Sequence, residues 1–318
     1  MDRPLVSIVI PYFNRPEKLQ RCLQSIYNQS YDYFEIIVVD DCSDIEPNEL
    51  PDAVHYIRLS KNSGPGAARN EGLRIAKGIY IAFLDCDDYW HKDFLSKLIN
   101  ALANQPDIVM AYSLSYNMQN GASIGVKKKE RLSVRNAILP DILFKSKAWA
   151  TSACLWRFDL IKHKQFPNHR NWEDYVFDIK VAIDHNSVFC LQEYLTYYDV
   201  TGDDKLSADV NAHALMEKNK SICLISDVLY KSDYRGDFII NKYISLLLVS
   251  HMKRFKSMLI TDMTIYEDSL IELKKWNSSI FVAIIRFGLK LNNRMGLKVL
   301  DVVKRQLKNS TVHNKVKE

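Results

Sequence analysis

Residues 79–90 read Ile79-Tyr80-Ile81-Ala82-Phe83-Leu84-Asp85-Cys86-Asp87-Asp88-Tyr89-Trp90, an apolar run that ends in three carboxylates within four positions. A run so rich in β-branched and aromatic residues reads as a buried strand. Like charges crowded in apolar surroundings are unfavourable unless a cation sits among them. Hard divalent cations take oxygen ligands, and Mg²⁺ or Mn²⁺ commonly binds through one or two carboxylates plus substrate phosphates. The segment therefore reads as a strand whose carboxyl end holds a metal ion, which in turn holds a diphosphate. The plain alternative is a helix cap by Asp87 or Asp88. A cap accounts for one carboxylate and leaves two unexplained.

The preceding residues supply a context for that strand. Residues 5–10 form an apolar strand broken by Pro11-Tyr12-Phe13-Asn14-Arg15-Pro16, and a helix follows to about Asn28. Residues 35–39 make a second strand ending in Asp40-Asp41-Cys42-Ser43-Asp44, and residues 54–59 a third. A Gly/Pro turn at residues 62–66 leads into a helix carrying Arg69. Residues 93–104 read as helix and 108–114 as a fifth strand. Strand–helix alternation with near-continuous apolar strands predicts an α/β fold, a mostly parallel, doubly wound sheet. Ligands gather outside the strand carboxyl ends of such sheets. Three candidate sites fall there: Pro11 to Arg15, Asp40-Asp41, and Asp85 to Asp88. The first turn offers backbone groups and a ring to a nucleobase, Asp41 an acceptor for a base N–H, and Arg69 a guanidinium near a helix start for phosphate. Each has a bland counterpart as an ordinary turn or surface residue. No G-x-G-x-x-G follows the first strand, which argues against a dinucleotide enzyme.

Four blocks in this order resemble the family 2 glycosyltransferases of GT-A fold: Val6 through Arg15, Glu35 through Asp44, Gly66 through Gly72, and Phe83 through Asp88. The resemblance is firm over residues 4–115 and looser to about 207. It implies inverting transfer from a nucleotide sugar, a UDP-sugar in most members, with Mn²⁺ or Mg²⁺ as cofactor. It further implies that Pro11, Phe13 and Asp41 contact the nucleoside and that Arg15 and Arg69 lie near the nucleotide and its phosphates. Asp85-Cys86-Asp87 is similar to the family's D-x-D, with Asp85 toward the ribose and Asp87 toward the metal. Many members carry glycine where this chain has Cys42, and a turn without positive φ is expected at that position.

The second half is less explicit. Residues 121–135, with Lys127-Lys128-Lys129, read as a solvated loop or an excursion over the acceptor side, and residues 137–144 as a short helix. Residues 149–156 read as a strand with Trp149 and Trp156 at its ends, candidates for stacking on an acceptor sugar or for core packing. Glu173 and Asp174 open a helix, where the dipole favours ionised carboxylates. Attack by an acceptor hydroxyl needs a base. The pair resembles the family's E-D motif, which implies Asp174 as base and Glu173 as its supporting neighbour. Residues 187–191 and 194–198 read as two strands. Residues 201–207, with Lys205, resemble a loop that closes over the donor in this family.

From about residue 211 no strand pattern remains. Helices are expected at 212–230, 238–259 and 264–276, with a basic amphipathic stretch at 279–307 that suits an anionic membrane face or packing on the core. The expected divisions are 1–115 (nucleotide-sugar-binding half), 116–210 (acceptor-binding half) and 211–318 (helical region). A net charge of +5 over 318 residues gives no argument for nucleic acid. Six widely spaced cysteines without C-x-x-C suit free thiols in the cytosol. The chain enters a strand almost at once, so no signal peptide is expected. Localisation is expected to be cytoplasmic, with peripheral contact on the inner membrane. The resemblance implies a saccharide or lipid-linked saccharide acceptor and a bacterial surface-polysaccharide setting (O-antigen, capsule or lipooligosaccharide). Two rival readings are a catalytically inactive nucleotide-sugar-binding scaffold and a sugar-nucleotide pyrophosphorylase. The second lacks its glycine-rich basic loop after the first strand.

Overall fold

The computed structural model describes residues 3–103, 105–126, 135–145, 147–201, 212–260 and 262–310. The chain divides into two compact units, Met1–Leu139 with Lys147–Ala208 and Pro140–Ser146 with Asp209–Glu318. Lys127, Lys128, Lys129 and Lys205, with nearly all of the loop after Thr201, lie outside the described residues.

The first unit runs β1 (Val6–Tyr12), α1 (Pro16–Tyr27), β2 (Phe34–Asp40), β3 (Val54–Arg58), α2 (Pro65–Ile75), β4 (Tyr80–Phe83), β5 (Tyr89–Trp90), α3 (Phe94–Ala103), β6 (Met110–Gln119), β7 (Ala122–Val126) and β8 (Arg135–Ala137). It continues through β9 (Cys154–Arg157), α4 (Phe158–Ile161), α5 (Glu173–Ala182) and β10 (Ser187–Asp199). The strands form one sheet of order β3-β2-β1-β4-β9-β6-β10-β5, with β7 on β6 and β8 on β10. Pairings β3–β2, β2–β1, β1–β4 and β6–β10 are parallel; β9 runs antiparallel between β4 and β6. This is the mostly parallel α/β sheet that the alternation predicts, with β9 as an antiparallel member.

Register places the site. Val9 lies opposite both Ile37 and Phe83, and Tyr12 opposite Asp40. The turns after β1, β2 and β4 therefore leave the sheet along one edge. All seven residues of β1 are buried, which a central strand covered on both faces requires. Helix α2 lies so close to β1 that a Cβ on Gly72 would stand 2.2 Å from Val9 Cγ1.

Several sequence expectations are corrected here. Residues 149–156 are not one strand: a 3-10 turn at Thr151–Ala153 precedes β9. Trp149 and Trp156 are both buried, so neither presents a face to an acceptor. Trp156 packs edge-on against Phe177, and Trp149 Nε1 donates to Asp178 at 3.0 Å. Residues 121–135 are not all loop: Asn120 and Gly121, both at positive φ, turn β6 into the exposed strand β7. The expected helix at 137–144 reduces to a 3-10 turn at Asp141–Leu143. The two strands after residue 186 are one, β10, with register irregularities near Tyr194. Tyr89 and Trp90 form β5 and pair with β10.

The second unit is helical: α6 (Ala212–Tyr230), α7 (Phe238–Ser257), α8 (Thr264–Trp276), α9 (Ser279–Lys290) and α10 (Asn293–Asn309). The single stretch expected at 279–307 breaks because Asn292 caps α10 through Met295 N. Lys256 Nζ donates to Leu289 O and Leu291 O and so satisfies carbonyls at the end of α9. Arg286 makes a bidentate pair with Glu267. Among the described residues no helix is long and apolar enough to cross a membrane.

Gly72→Ala tests the α2–β1 packing. Alanine gains about 1 kcal/mol in helix propensity, but overpacking against Val9 costs roughly 1–3 kcal/mol. The variant is expected to be net destabilised by about 1 kcal/mol in denaturant unfolding; a stabilised variant contradicts the close packing.

Candidate active site

The first two turns are tied to each other. Asn14 N donates to Ser43 Oγ at 3.0 Å, and Asn14 Oδ1 accepts from Ile45 N at 2.8 Å. Asp40 buttresses the second turn: its carboxylate accepts from Ser43 N, Tyr56 Oη and Arg58 Nη1. Cys42 sits at φ +60°, against the expectation of a turn without positive φ. A non-glycine residue there costs roughly 1–2 kcal/mol. The hydrogen bonds to Asp40 and Ser43, including Arg58 Nη2 to Ser43 O at 2.6 Å, hold it in place. The result leaves Phe13 41% exposed, Pro11 buried in β1, and Asp41 buried. Asp41 accepts from Ser63 N at 2.6 Å and Gly64 N at 2.7 Å. Burial raises its carboxyl above the usual range, opposed by those two N–H groups.

The three carboxylates after β4 do not act together. Asp87 pairs with Arg15 at 2.9 Å and Asp85 with Arg69 at 2.5 Å. Asp88 turns inward, where it accepts from Asp199 N at 3.0 Å. Burial, then the charges of Asp87 and Asp85, push its carboxyl well above the usual range. The Cys86 side chain also joins the core, and burial pushes its thiol up to about 12. Of this quartet, only Asp85 and Asp87 keep part of their side chains open to solvent together. Two of the crowded carboxylates, Asp87 and Asp85, thus have guanidinium partners in Arg15 and Arg69.

Arg69 spans the site. Nη2 reaches Asp85, and Nη1 reaches Glu173 Oε1 at 2.9 Å. Its side chain is 4% exposed. Nε is buried and has no hydrogen-bond partner among the described residues, and the guanidinium carbon lies 5.4 Å from the centre of the Phe166 ring. Phe166 stacks on Phe177 and meets Phe83 edge-on, an aromatic floor beneath the ion pairs. The segment carrying Phe166 crosses close over α2: a Cβ on Gly66 would stand 2.9 Å from Pro167 O. Glycine at residue 66 thus lets the loop before α5 lie down on the start of α2.

Helix α5 starts abruptly, after Trp172 at φ +64° with its ring stacked on Tyr175. Glu173 goes to Arg69. Asp174 takes a second cation: Oδ2 accepts from Lys147 Nζ at 2.8 Å and Thr151 Oγ1 at 3.2 Å, and Oδ1 from Tyr175 N at 2.9 Å. Lys147 Nζ also pairs with Asp178 Oδ2 at 2.9 Å. The adjacent carboxyls are driven apart. Burial and the charge of Asp174 push Glu173 up to about 7, while Lys147, prevailing over burial, holds Asp174 below the usual range. Burial raises Asp178 to about 6, against the pull of Lys147.

The structure thus brings Phe13, Arg15, Asp41, Arg69, Asp85, Asp87, Glu173 and Asp174 to the turns and helix start along one edge of the unit. Lys147, Thr151 and Asp178 were not foreseen. Asp178 is four residues after Asp174, hence on the same helix face, a signal available in the sequence; Lys147 left none.

The raised Glu173 carboxyl sets a sign for pH. Its protonated form favours the fold, so that stabilisation is complete below about 4.5 and is lost as pH rises through about 7. Glu173→Gln removes the component. Wild type is expected to lose roughly 1–3 kcal/mol relative to the variant across that range, by denaturant unfolding. A difference that stays flat with pH speaks against it.

Residues 7–163 match the family described as glycosyl transferase family 2. The chain is 30% identical over 256 residues to the poly(ribitol-phosphate) beta-N-acetylglucosaminyltransferase TarP of Staphylococcus aureus, covering 74% of each chain. It is 34% identical over 129 residues to a Bacillus subtilis glycosyltransferase named for teichuronic acid biosynthesis; the match covers 38% of this chain and spans about half, 51%, of that relative. Its fold is similar to that of S. aureus TarS 1–349 in complex with UDP-GlcNAc, with a TM-score of 0.71 at 19% identity over 96% of this chain and 92% of that one. The chain belongs to glycosyl transferase family 2.

Proposed function

We propose that this chain is an inverting hexosyltransferase that moves a sugar from a UDP-sugar to a hydroxyl of a saccharide or lipid-linked saccharide, in the assembly of a bacterial surface polysaccharide. The observation that carries the reading is the Arg69 bridge, which fixes the D-x-D end of β4 to the Glu173-Asp174 start of α5. TarP is named as a sugar transferase to poly(ribitol phosphate), which supports a polymeric acceptor, and TarS was solved with UDP-GlcNAc, which supports a UDP-linked donor.

In this reading the Phe13 ring and Asp41 receive the nucleoside, and Arg15 faces the diphosphate while Arg69, buried and paired with Asp85 and Glu173, adds its charge from within. The acceptor O–H gives its proton to the Asp174 carboxylate. The acceptor oxygen forms a bond to the anomeric carbon on the face opposite the diphosphate. The bond from that carbon to the diphosphate oxygen breaks, and its electron pair leaves with UDP. The arginines stabilise the growing negative charge on the leaving group. An α-linked donor gives a β-linked product.

Asp85 and Asp87 fit a hard divalent cation: two carboxylates two positions apart, 32% and 15% exposed. Among the described residues no cluster of three or more His, Cys, Asp or Glu forms a metal site. Mn²⁺ or Mg²⁺ there would take its remaining ligands from phosphate and water, its ordinary habit. When bound, it neutralises the diphosphate. Peripheral contact with an anionic membrane has support in α9, where Ile280, Ile284 and Phe287 form an exposed apolar row near exposed Lys290.

Release of UDP from UDP-glucose, UDP-galactose and UDP-N-acetylglucosamine, with purified acceptor polymer, tests the proposal. Asp174→Asn is expected to slow transfer about 10²–10⁴-fold with UDP binding retained. Asp87→Ala and excess chelator are each expected to abolish most transfer. Full activity in chelator removes the metal, and an inactive wild type with every donor favours the scaffold reading.

A further inference from the structure

Lys147 is 5% exposed and stands between two carboxylates of the same helix face, Asp174 Oδ2 at 2.8 Å and Asp178 Oδ2 at 2.9 Å. Burying an ammonium is costly, and it is retained only where partners saturate it. Here the saturation is complete: Thr151 Oγ1 lies 3.3 Å from the same nitrogen, and the three N–H donors of lysine match three acceptors. Around it a frame is closed. Lys147 N donates to the Tyr175 hydroxyl, Thr151 donates to Asp174, and Trp149 Nε1 donates to Asp178. The residues from Lys147 to Thr151 thus form a strap bound to α5 at three points. Asp174 is the one carboxylate of the cluster with a quarter of its side chain (24%) open to solvent; Asp178 is 3% open.

We propose that Lys147 is a positioning residue for transfer: its ammonium, anchored on Asp178, fixes the Asp174 carboxylate in one orientation and keeps it as the anion that receives the acceptor proton. Asp178 is the anchor because a lysine held by Asp174 alone could swing with it. The division gives Asp174 its own direct partner, since Arg69 is already engaged by Asp85 and Glu173 and acts on Asp174 only through its charge. The inference rests on Asp174 as base. The charged and titratable groups facing that carboxylate are Lys147, Asp178, Glu173, Arg69 and Tyr175, with Cys154 beyond Lys147.

Lys147→Met keeps the length of the side chain and removes its charge. With the donor that supports transfer, kcat is expected to fall about tenfold or more while UDP binding by calorimetry changes less than about twofold. Losing the cation raises the Asp174 carboxyl, so the acid limb of the pH–rate profile is expected to move up by about one pH unit. Should the single variant fail to fold, Lys147→Met with Asp178→Asn removes one cation and one anion together and carries the same expectation. A folded variant with an unmoved acid limb and wild-type kcat, alongside an inactive Asp174→Asn, overturns the role of Lys147 and leaves the base standing. Asp174→Asn at wild-type rate removes the base and this proposal with it.

Discussion

One buried guanidinium holds the candidate site together. Arg69 comes from the second turn of α2, Asp85 from the end of β4, and Glu173 from a helix 104 residues further along the chain. A charge in so apolar a place is costly unless paired, and removing one partner of such a set leaves an uncompensated buried ion. The three elements are therefore mutually dependent. The sheet edge at the end of β4 cannot move relative to the start of α5 without exposing or orphaning charge. For a reaction in which two reactants must meet in a fixed geometry, that rigidity is worth more than the modest stability of the ion pairs.

The cations are distributed so that the consecutive carboxylates Glu173 and Asp174 have different main partners. Glu173 and Asp174 are consecutive, and in an apolar setting they would compete for ionisation. Arg69 takes the first and Lys147 the second. The outcome is a pair whose proton affinities are forced apart, Glu173 upward and Asp174 downward. Separation of this kind assigns acid and base duties in sites built from like residues. Asp174 is the anion, partly open; Glu173 is the buried member that ties the helix, through Arg69, to the end of β4. A similar logic governs the other cluster. Arg15 engages Asp87, while Asp88 is diverted to the backbone of Asp199 at the end of β10.

The sequence speaks clearly where burial is two-sided. β1, β2 and β4 are continuous apolar runs because helices cover both faces, and their ends carry the Asp41, Asp85 and Asp87 turns. It is quiet where pairing is remote. β5 is two residues long and exists only because Thr196 and Tyr197 lie opposite it. β9 is preceded by a 3-10 turn, and Trp156 within it, like Trp149 before the turn, reveals size and not direction. Asn120-Gly121 was a readable hairpin turn, overlooked because the polarity around it resembles a loop. The crowding of Asp85, Asp87 and Asp88 correctly called for positive charge. Sequence alone could not reveal that Arg15 and Arg69, 72 and 16 residues away, supply it. Lys147 was invisible for the same reason: nothing local distinguishes a lysine that will be buried.

Backbone strain points to the same place as the electrostatics. Among the described residues, the non-glycine positions at positive φ are Asn14, Cys42, Asn120, Trp172 and Leu259. Asn120 belongs to a hairpin, where such angles are required. Asn14, Cys42 and Trp172 each adjoin a proposed site residue: Phe13, Asp41 and Glu173. Each such conformation costs roughly 1–2 kcal/mol, and strain of this kind persists where the surroundings over-determine it. Those surroundings are on hand. Asn14 and Cys42 are held by the hydrogen-bonded knot at Ser43, and Trp172 by its stack on Tyr175, whose hydroxyl in turn receives Lys147 N. Relaxing any one of them would redirect the neighbouring side chain away from the sheet edge. The strain is thus the local counterpart of the Arg69 bridge: one fixes where the elements stand, the other where their side chains point.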